Sequence, residues 1–397
     1  MVTFVTSTIT LPEMGPAFPL GSKTVTSSVP LSPGRKASPV AERNCLGEMT
    51  DCTYNRNENK NDPEVCVQEA FAGVDVGGTR IKVGLADGAG RLLSSELLET
   101  RACLDADSFL DAIAAEINRQ ASASSFLVAA AGLGCPGRID FASGKVVWLK
   151  SKLEFLEGIA LAARLGERLG CPVVCDNDVN TILAGEMRFG AGRGYRDVVA
   201  FTVGTGIGGA VVLDERMVRG SNWATGHFGY MSHDPWGPQH VCGNRGIVEE
   251  HASHSGILRQ LHKALERGEV SPLTKALGRG PEPGLRELFE AADAGDAVGR
   301  RLADRLTCDL GVLVANLIYA FDPELVLVGG GLVTHRPSVL DSIRREAAKR
   351  TAYLPSGATK ILPMELGDAA GILGGAALAM EAMPQTKSSL HAQGGER

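Results

Sequence analysis

Asp176-Asn177-Asp178-Val179-Asn180 places four polar residues, two of them carboxylates, within five positions. The apolar run Cys171-Pro172-Val173-Val174-Cys175 ahead of it reads as a strand, and Val179, Ile182, Leu183 and Met187 follow at helical spacing. A strand that ends in a polar cluster and turns into a helix delivers side chains to the top of a sheet. Asp178 falls in the first helical turn, where the helix dipole favours a charged carboxylate. An ionised aspartate there can accept a proton from a hydroxyl. A plain helix cap by Asp176 or Asn177 is the competing reading, but one cap leaves the other polar residues unexplained.

A second kind of chemistry is written in glycine. Phe71 to Val76 and the alternating Ile81, Val83 and Leu85 read as two strands, with Gly77-Gly78 as the tight turn between them. Glycine permits positive φ at both central positions and lets the backbone approach a ligand closely. Thr79 sets a hydroxyl beside the exposed N–H groups of the turn, an arrangement suited to phosphate oxygens. Asp75 suits Mg²⁺, directly or through water. No Gly-Lys-Ser or Gly-Lys-Thr follows, so this is not a P-loop, and an ordinary hairpin accounts for the stretch equally well. The pattern recurs, however. Val198 to Val203 runs into Gly204-Thr205-Gly206-Ile207-Gly208-Gly209, and Ala210 to Leu213 forms the next strand. Two such units point to two related halves, each offering a turn for phosphate.

With both turns in hand, the chain resembles the sugar kinases of the actin and hexokinase superfamily. More narrowly it resembles the repressor/open-reading-frame/kinase (ROK) family, which includes bacterial glucokinases. The resemblance covers about residues 70 to 382. It implies an α/β protein of two ribonuclease-H-like domains facing across a cleft. Residues 69–190, completed by a helix over 368–382, would form the first domain. Residues 191–367 would form the second, carrying a polar, loop-rich insert at 223–253. The implied reaction moves the γ-phosphoryl group of ATP to the primary hydroxyl of a hexose. Glucose is the first expectation, with N-acetylmannosamine, N-acetylglucosamine and fructose as alternatives.

The resemblance also assigns residues. Asp178 matches the general base of an Asn-Asp-x-Asn cluster, and Asn177 matches its sugar-binding neighbour. Asp75, Gly77, Gly78, Thr79, Gly204, Thr205, Gly206 and Gly208 would hold MgATP, with Asp75 reaching Mg²⁺ through water. Gly329-Gly330-Gly331 would lie against the adenosine, where a plain strand-to-helix loop is the alternative. Gly137 closes the Gly/Pro loop Gly132-Leu133-Gly134-Cys135-Pro136-Gly137, a rigid strand end of the kind that binds ligands in open α/β sheets. Glu249 keeps a sugar-binding position.

The insert departs from the family. Where Glu-x-Gly-His is usual, this chain has His227-Phe228-Gly229-Tyr230, and His227 and Tyr230 are expected to face the sugar. Of Cys-x-Cys-Gly-x-x-Gly-Cys-x-Glu only Cys242, Gly243, Gly246 and Glu249 remain, with His240 and Ile247 replacing cysteines. The four zinc positions become Tyr230, His240, Cys242 and Ile247, of which only His240 and Cys242 are good ligands. No structural zinc is therefore expected there, although His227 and His233 lie close enough in sequence to complete a shifted site. Without metal, Trp236, Pro235, Pro238 and Ile247 are the expected anchors of the loop. The altered motif also motivates a second reading, a non-catalytic sugar sensor.

The bulk properties bound these readings. A chain of 397 residues with 44% hydrophobic and 22% charged content suggests about two globular domains. The net charge of −6 offers no basic footprint for nucleic acid or membrane, and no apolar run is long enough for a spanning helix. Nine cysteines without a Cys-x-x-Cys pair fit reduced thiols and a cytoplasmic protein. The small-molecule sugar is the expected partner; family members are often homodimers, and no interface is legible in the sequence. Residues 1–68, rich in Ser, Thr, Pro and Asn, read as a disordered tail, and 383–397 as a flexible one. Targeting and a start at Met49 both stay open for the first of these, and no winged helix-turn-helix is readable in it.

Among the positioning elements, Ser108 reads as the cap of a helix with Phe109, Ile113 and Ile117 on one face. Leu302 through Leu317 reads as a long helix closed by Phe321-Asp322-Pro323, and a helix is expected after Pro337.

Overall fold

The computed structural model describes residues 68–150, 153–355 and 357–383. The expected tails at 1–68 and 383–397 lie outside these residues, except that Gln68 opens the first strand and Met383 follows the last helix.

The first half of the chain builds a five-stranded sheet. β1 (Gln68–Val76), β2 (Arg80–Ala86) and β3 (Leu92–Glu99) form an antiparallel meander. After α1 (Ala106–Ser124), β4 (Phe126–Cys135) returns parallel to β1. A small hairpin of β5 (Arg138–Asp140) and β6 (Lys145–Trp148) leads to α2 (Leu161–Leu169), and β7 (Val173–Asn177) then joins β4 in parallel. The sheet order is β3-β2-β1-β4-β7.

α3 (Asp178–Phe189) leads into a second sheet of the same design. β8 (Val198–Val203), β9 (Ile207–Leu213) and β10 (Arg216–Met217) form its meander. A helical stretch follows: α4 (Val248–Ala252), α5 (His254–Glu266), α6 (Pro272–Ala276), α7 (Leu285–Asp293) and α8 (Ala297–Phe321). β11 (Leu325–Gly329) and β12 (Lys360–Pro363) add in parallel, separated by α9 (Gly331–His335) and α10 (Pro337–Arg350). The order β10-β9-β8-β11-β12 repeats that of the first sheet. α11 (Ala370–Ala382) closes the described chain.

Strand alternation decides which face each layer covers. Val74 and Val76 join a core with Phe109, Ile113 and Ile117 of α1 and Leu161 and Leu165 of α2. Their neighbours Gly73 and Asp75 face α11 instead. There the backbones nearly touch: a Cβ on Gly375 would stand 2.4 Å from the Gly132 carbonyl oxygen, so only glycine allows that approach. In the second sheet, Val199, Phe201, Val326 and Val328 pack against the α8 side, while Val198, Ala200, Leu325 and Leu327 pack against Val179 and Leu183 of α3. α3 thus touches α11 on one side and the second sheet on the other.

Two expected boundaries move. Asp105, not Ser108, caps α1, because its carboxylate accepts the Ser108 N–H at 2.8 Å while Ser108 returns its hydroxyl to the cap backbone. The helix expected after Pro337 is preceded by α9, which starts at Gly331 directly behind β11.

Candidate active site

The parallel register of β1, β4 and β7 aligns Asp75, Gly134 and Asp176 in one row, so the two carboxylates project to the same face. Gly134 leaves a notch between them that the Thr181 side chain fills. The carboxylate of Asp75 faces the Lys82 ammonium at 3.9 Å. Burial raises its pKa, and Lys82 opposes the rise.

One residue beyond the row, β7 becomes α3. Asn177 is the cap: its Oδ1 accepts the N–H groups of Val179 at 3.0 Å and Asn180 at 3.4 Å, and its Nδ2 donates to the Gly137 carbonyl at 3.0 Å. The cap therefore ties the Cys135-Pro136-Gly137 loop, where Gly137 has φ +92°, to the start of α3. Asp178 is the first residue of the helix, and its Oδ1 accepts the Val179 N–H at 3.0 Å. Burial, and next the negative charge of Asp75, raise its pKa from 3.8 to about 6, against the pull of the Val179 N–H. Cys135 below it is pushed well above the usual thiol range by burial and then by Asp178.

In the second sheet, the ends of β8 and β11 bring both remaining glycine segments together. Gly330, at φ +103°, sits where a Cβ would stand 2.1 Å from the Val203 carbonyl oxygen. Gly204, Thr205 and Gly206 follow Val203 directly. Neither Gly77-Gly78 nor Gly204-Thr205-Gly206 uses the left-handed φ region that glycine permits. Their glycines answer to space instead. A Cβ on Gly206 would collide with Glu249 Oε2, which accepts the Ile207 N–H at 2.8 Å. Gly208 lies against Val179, so the second turn abuts the residue after Asp178. The Gly77–Thr79 turn is held to its own sheet by Gly77 N–H to Arg80 and by Thr100, which binds Gly77 and Thr79.

The insert residues form a chain of neighbours. Burial and then the Arg138 charge lower the pKa of His227. Its ring meets Tyr230 edge-on at 6.0 Å, and Tyr230 lies 5.9 Å from His240. Burial, followed by the charge of Glu249, raises the Tyr230 phenol. Gly137 and Asn177 thus meet at the end of the first sheet, while Glu249 meets both the second glycine turn and Gly229, which lies between His227 and Tyr230. Of the four positions discussed for zinc, Ile247 is fully buried and Cys242 is exposed. His233 does not complete a set with His240 and Cys242; it turns to His251 and Asp309. Trp236, an expected anchor, is 92% exposed.

Sequence reasoning missed what holds the row in place. Asp176 is buried and pairs with Arg219 Nε at 2.8 Å, while the Arg219 guanidinium lies 3.6 Å over the Phe141 ring. Asn180 Nδ2 also donates to Asp176 at 2.9 Å. Asp176 and Asn180 belong to the polar cluster, but nothing in the spacing signals Arg219, 43 residues on.

Comparison with known proteins agrees with this architecture. The profile of the ROK family matches residues 71–382. Glucokinase from Thermotoga maritima is 31% identical over 309 residues, which is 78% of this chain and 96% of that protein. Beta-glucoside kinase from Klebsiella pneumoniae is 30% identical over 278 residues, 70% of this chain and 86% of its own. The ROK family glucokinase of Streptomyces griseus, solved in complex with glucose and AMPPNP, matches with a TM-score of 0.66 at 32% identity, covering 79% of this chain and 99% of that one. The paired sheets have the two-domain α/β fold of the actin and hexokinase superfamily. Because the match runs from β1 to the end of α11, through both sheets and the insert, this chain belongs to the ROK family.

Proposed function

We propose that the protein is an ATP-dependent sugar kinase and that its acceptor is the primary hydroxyl of glucose. One observation carries the reading. Asp178 stands at the first position of a helix wedged between the two sheets, half-buried, with a pKa near 6 and its neighbour Val179 against the second glycine turn. A base whose pKa lies just below neutrality is ionised when the reaction runs, yet still takes up a proton readily.

In the proposed reaction, the sugar oxygen forms a bond to the γ-phosphorus as the bond to the bridging oxygen breaks, and the hydroxyl proton passes to the Asp178 carboxylate. Phosphoryl transfer of this kind asks mainly for positioning and charge stabilisation. Gly77, Gly78, Thr79, Gly204, Thr205, Gly206 and Gly208 are assigned to the phosphates, and Gly329, Gly330 and Gly331 to the adenosine. Asn177 spends one amide N–H on Gly137 and keeps the other for a sugar oxygen. Gly137, His227, Tyr230 and Glu249 are assigned to the remaining hydroxyls.

The chemistry of Asp75 fits a divalent cation: its carboxylate is raised by burial and has the Lys82 ammonium only at 3.9 Å. Mg²⁺ carried with the nucleotide would be held by Asp75 through water and would screen the phosphate charge.

Glucokinase relatives support glucose, and the beta-glucoside kinase relative marks the alternative within the same chemistry. The test is ATP-dependent phosphorylation of glucose, fructose, N-acetylmannosamine, N-acetylglucosamine and a β-glucoside by purified protein. Glucose should give the highest kcat/KM. A different preferred sugar overturns the acceptor, and binding without turnover of any of them overturns the kinase.

A further inference from the structure

His233, His251 and Asp309 come from three separate stretches, the insert loop, α4 and α8. His233 Nε2 and His251 Nδ1 each stand 3.2 Å from the same atom, Asp309 Oδ2, and 3.3 Å from each other. Only 6%, 10% and 4% of the three side chains remain exposed. The three atoms therefore form a nearly equilateral triangle in a dry place. Ligands held about 2.0–2.1 Å from zinc in a tetrahedron are separated by about 3.3 Å, so this triangle matches one face of such a site.

Hydrogen bonding alone fits these atoms less well. If both imidazoles donate to Oδ2, their two N–H groups crowd into the same space at 3.3 Å. Baring the facing nitrogens removes the crowding but leaves three acceptors confronting one another, which a cation resolves. The protein does not commit His233 to either form, because its buried Nδ1 has no hydrogen-bond partner. One neighbour opposes a cation. Arg305 Nε donates to the same Oδ2 at 2.7 Å, and its Nη2 lies 3.5 Å from His251 Nδ1. Arg305 is 45% exposed, however, so its guanidinium has room to withdraw toward water.

We propose that His233 Nε2, His251 Nδ1 and Asp309 Oδ2 bind one divalent transition-metal ion, with Zn²⁺ the natural occupant and water completing the tetrahedron. Two imidazoles and a carboxylate are a donor set suited to that ion. The site does not depend on the proposed kinase reaction. Its place in the fold gives it a structural purpose: it pins the insert that carries His227 and Tyr230 to α8, through His251, which stands two residues after Glu249.

The test uses the full chain, freed of metal by chelation, and titrated with Zn²⁺ and then with Co²⁺ as a spectroscopic probe. One Zn²⁺ per chain is expected, with a raised Tm. Co²⁺ should give the intense visible absorption of a tetrahedral site without a thiolate charge-transfer band. His233→Ala and His251→Ala should each weaken Zn²⁺ by more than about 100-fold, since even outer-shell losses cost about 10–100-fold. Cys242→Ser should change nothing. Arg305→Met should tighten binding by roughly twofold to fivefold, the worth of one partly exposed charge contact. No Zn²⁺ on the wild-type chain, undiminished binding in both histidine variants, or a thiolate band abolished by Cys242→Ser would each overturn the site. Should the histidine variants fail to fold, the wild-type cobalt spectrum and the Arg305→Met titration still decide it.

Discussion

Asp178 and Asp309 are both carboxylates drawn away from water, yet the protein shifts them in opposite directions. Asp178 is touched by N–H groups at the start of α3, and the charge that acts on it is another carboxylate, Asp75, so burial prevails and its pKa rises to about 6. Burial would raise Asp309 as well, but His233, His251 and Arg305 all converge on its oxygen and hold it well below the usual carboxylate range. Burial has the same sign at both positions, and the partners decide the outcome. A carboxylate left without a cation is poised to exchange a proton, whereas one on which several side-chain partners converge, the Arg305 guanidinium among them, is fixed in its charge.

The sharpest way to break this contrast is the same substitution at both positions. Asp178→Asn preserves shape and removes the base, so turnover should fall by roughly 10²–10⁴-fold. The same change should raise Tm by about 2–5 °C, because holding the carboxylate ionised in the fold costs on the order of 3 kcal/mol when its pKa moves from 3.8 to about 6. Kinetics and calorimetry on one preparation check both signs. A variant that keeps activity within about threefold removes Asp178 from the base role, and a lowered Tm removes the argument from burial.

Asp309→Asn should do the reverse. It withdraws the anion from two imidazoles and a guanidinium, and breaking a buried ion pair from one side costs about 3–5 kcal/mol. Denaturant unfolding should register that loss. An unchanged midpoint would mean that the three partners are satisfied by water and that Asp309 is not the centre of the cluster.

The pH dependence sharpens the first half of the comparison. The folded pKa of Asp178 lies above its unfolded value, so its ionised form is the destabilising one. The stability gap between wild type and Asp178→Asn should be full above pH 6, shrink as pH falls from about 6 to 3.8, and vanish below that. kcat/KM should fall about tenfold per pH unit below pH 6 if this is the base. Asp75→Asn should move the thermal crossover to lower pH, because the Asp75 charge is the second cause of the rise.

How much of this was legible beforehand follows from the range of each interaction. The repeated strand–glycine turn–strand unit predicted paired halves, and the two sheets have identical order, since period-two apolar runs and tight turns are local signals. The polar cluster at 176–180 predicted a strand-to-helix junction, and β7 passes into α3 there. Arg219 on Asp176 and Asp309 beneath His233 and His251 were invisible, because each pairing joins side chains 43 residues or more apart with no periodic mark. The glycine turns were misjudged in one respect. Composition alone suggests positive φ, but Gly206 is required by the Glu249 carboxylate that crowds it, a contact 43 positions away in the chain.

The smallest predicted effect concerns the insert itself. Trp236, Pro235, Pro238 and Ile247 are the expected anchors of the loop, and the fold divides them. In the fold Trp236 is 92% exposed while Ile247 is fully buried. Apolar area already in water contributes little when truncated, so Trp236→Ala should change stability by less than about 0.5 kcal/mol. Ile247→Ala should cost about 2–5 kcal/mol, because it opens a cavity in packed surroundings. Glu249 lies two residues from Ile247 and reaches the Ile207 N–H at 2.8 Å, so sugar KM should worsen in the Ile247 variant and stay level in the Trp236 variant. Unfolding curves and sugar titrations of the two variants separate the cases. Equal losses in both would mean that Trp236 is covered in solution by something outside the described residues.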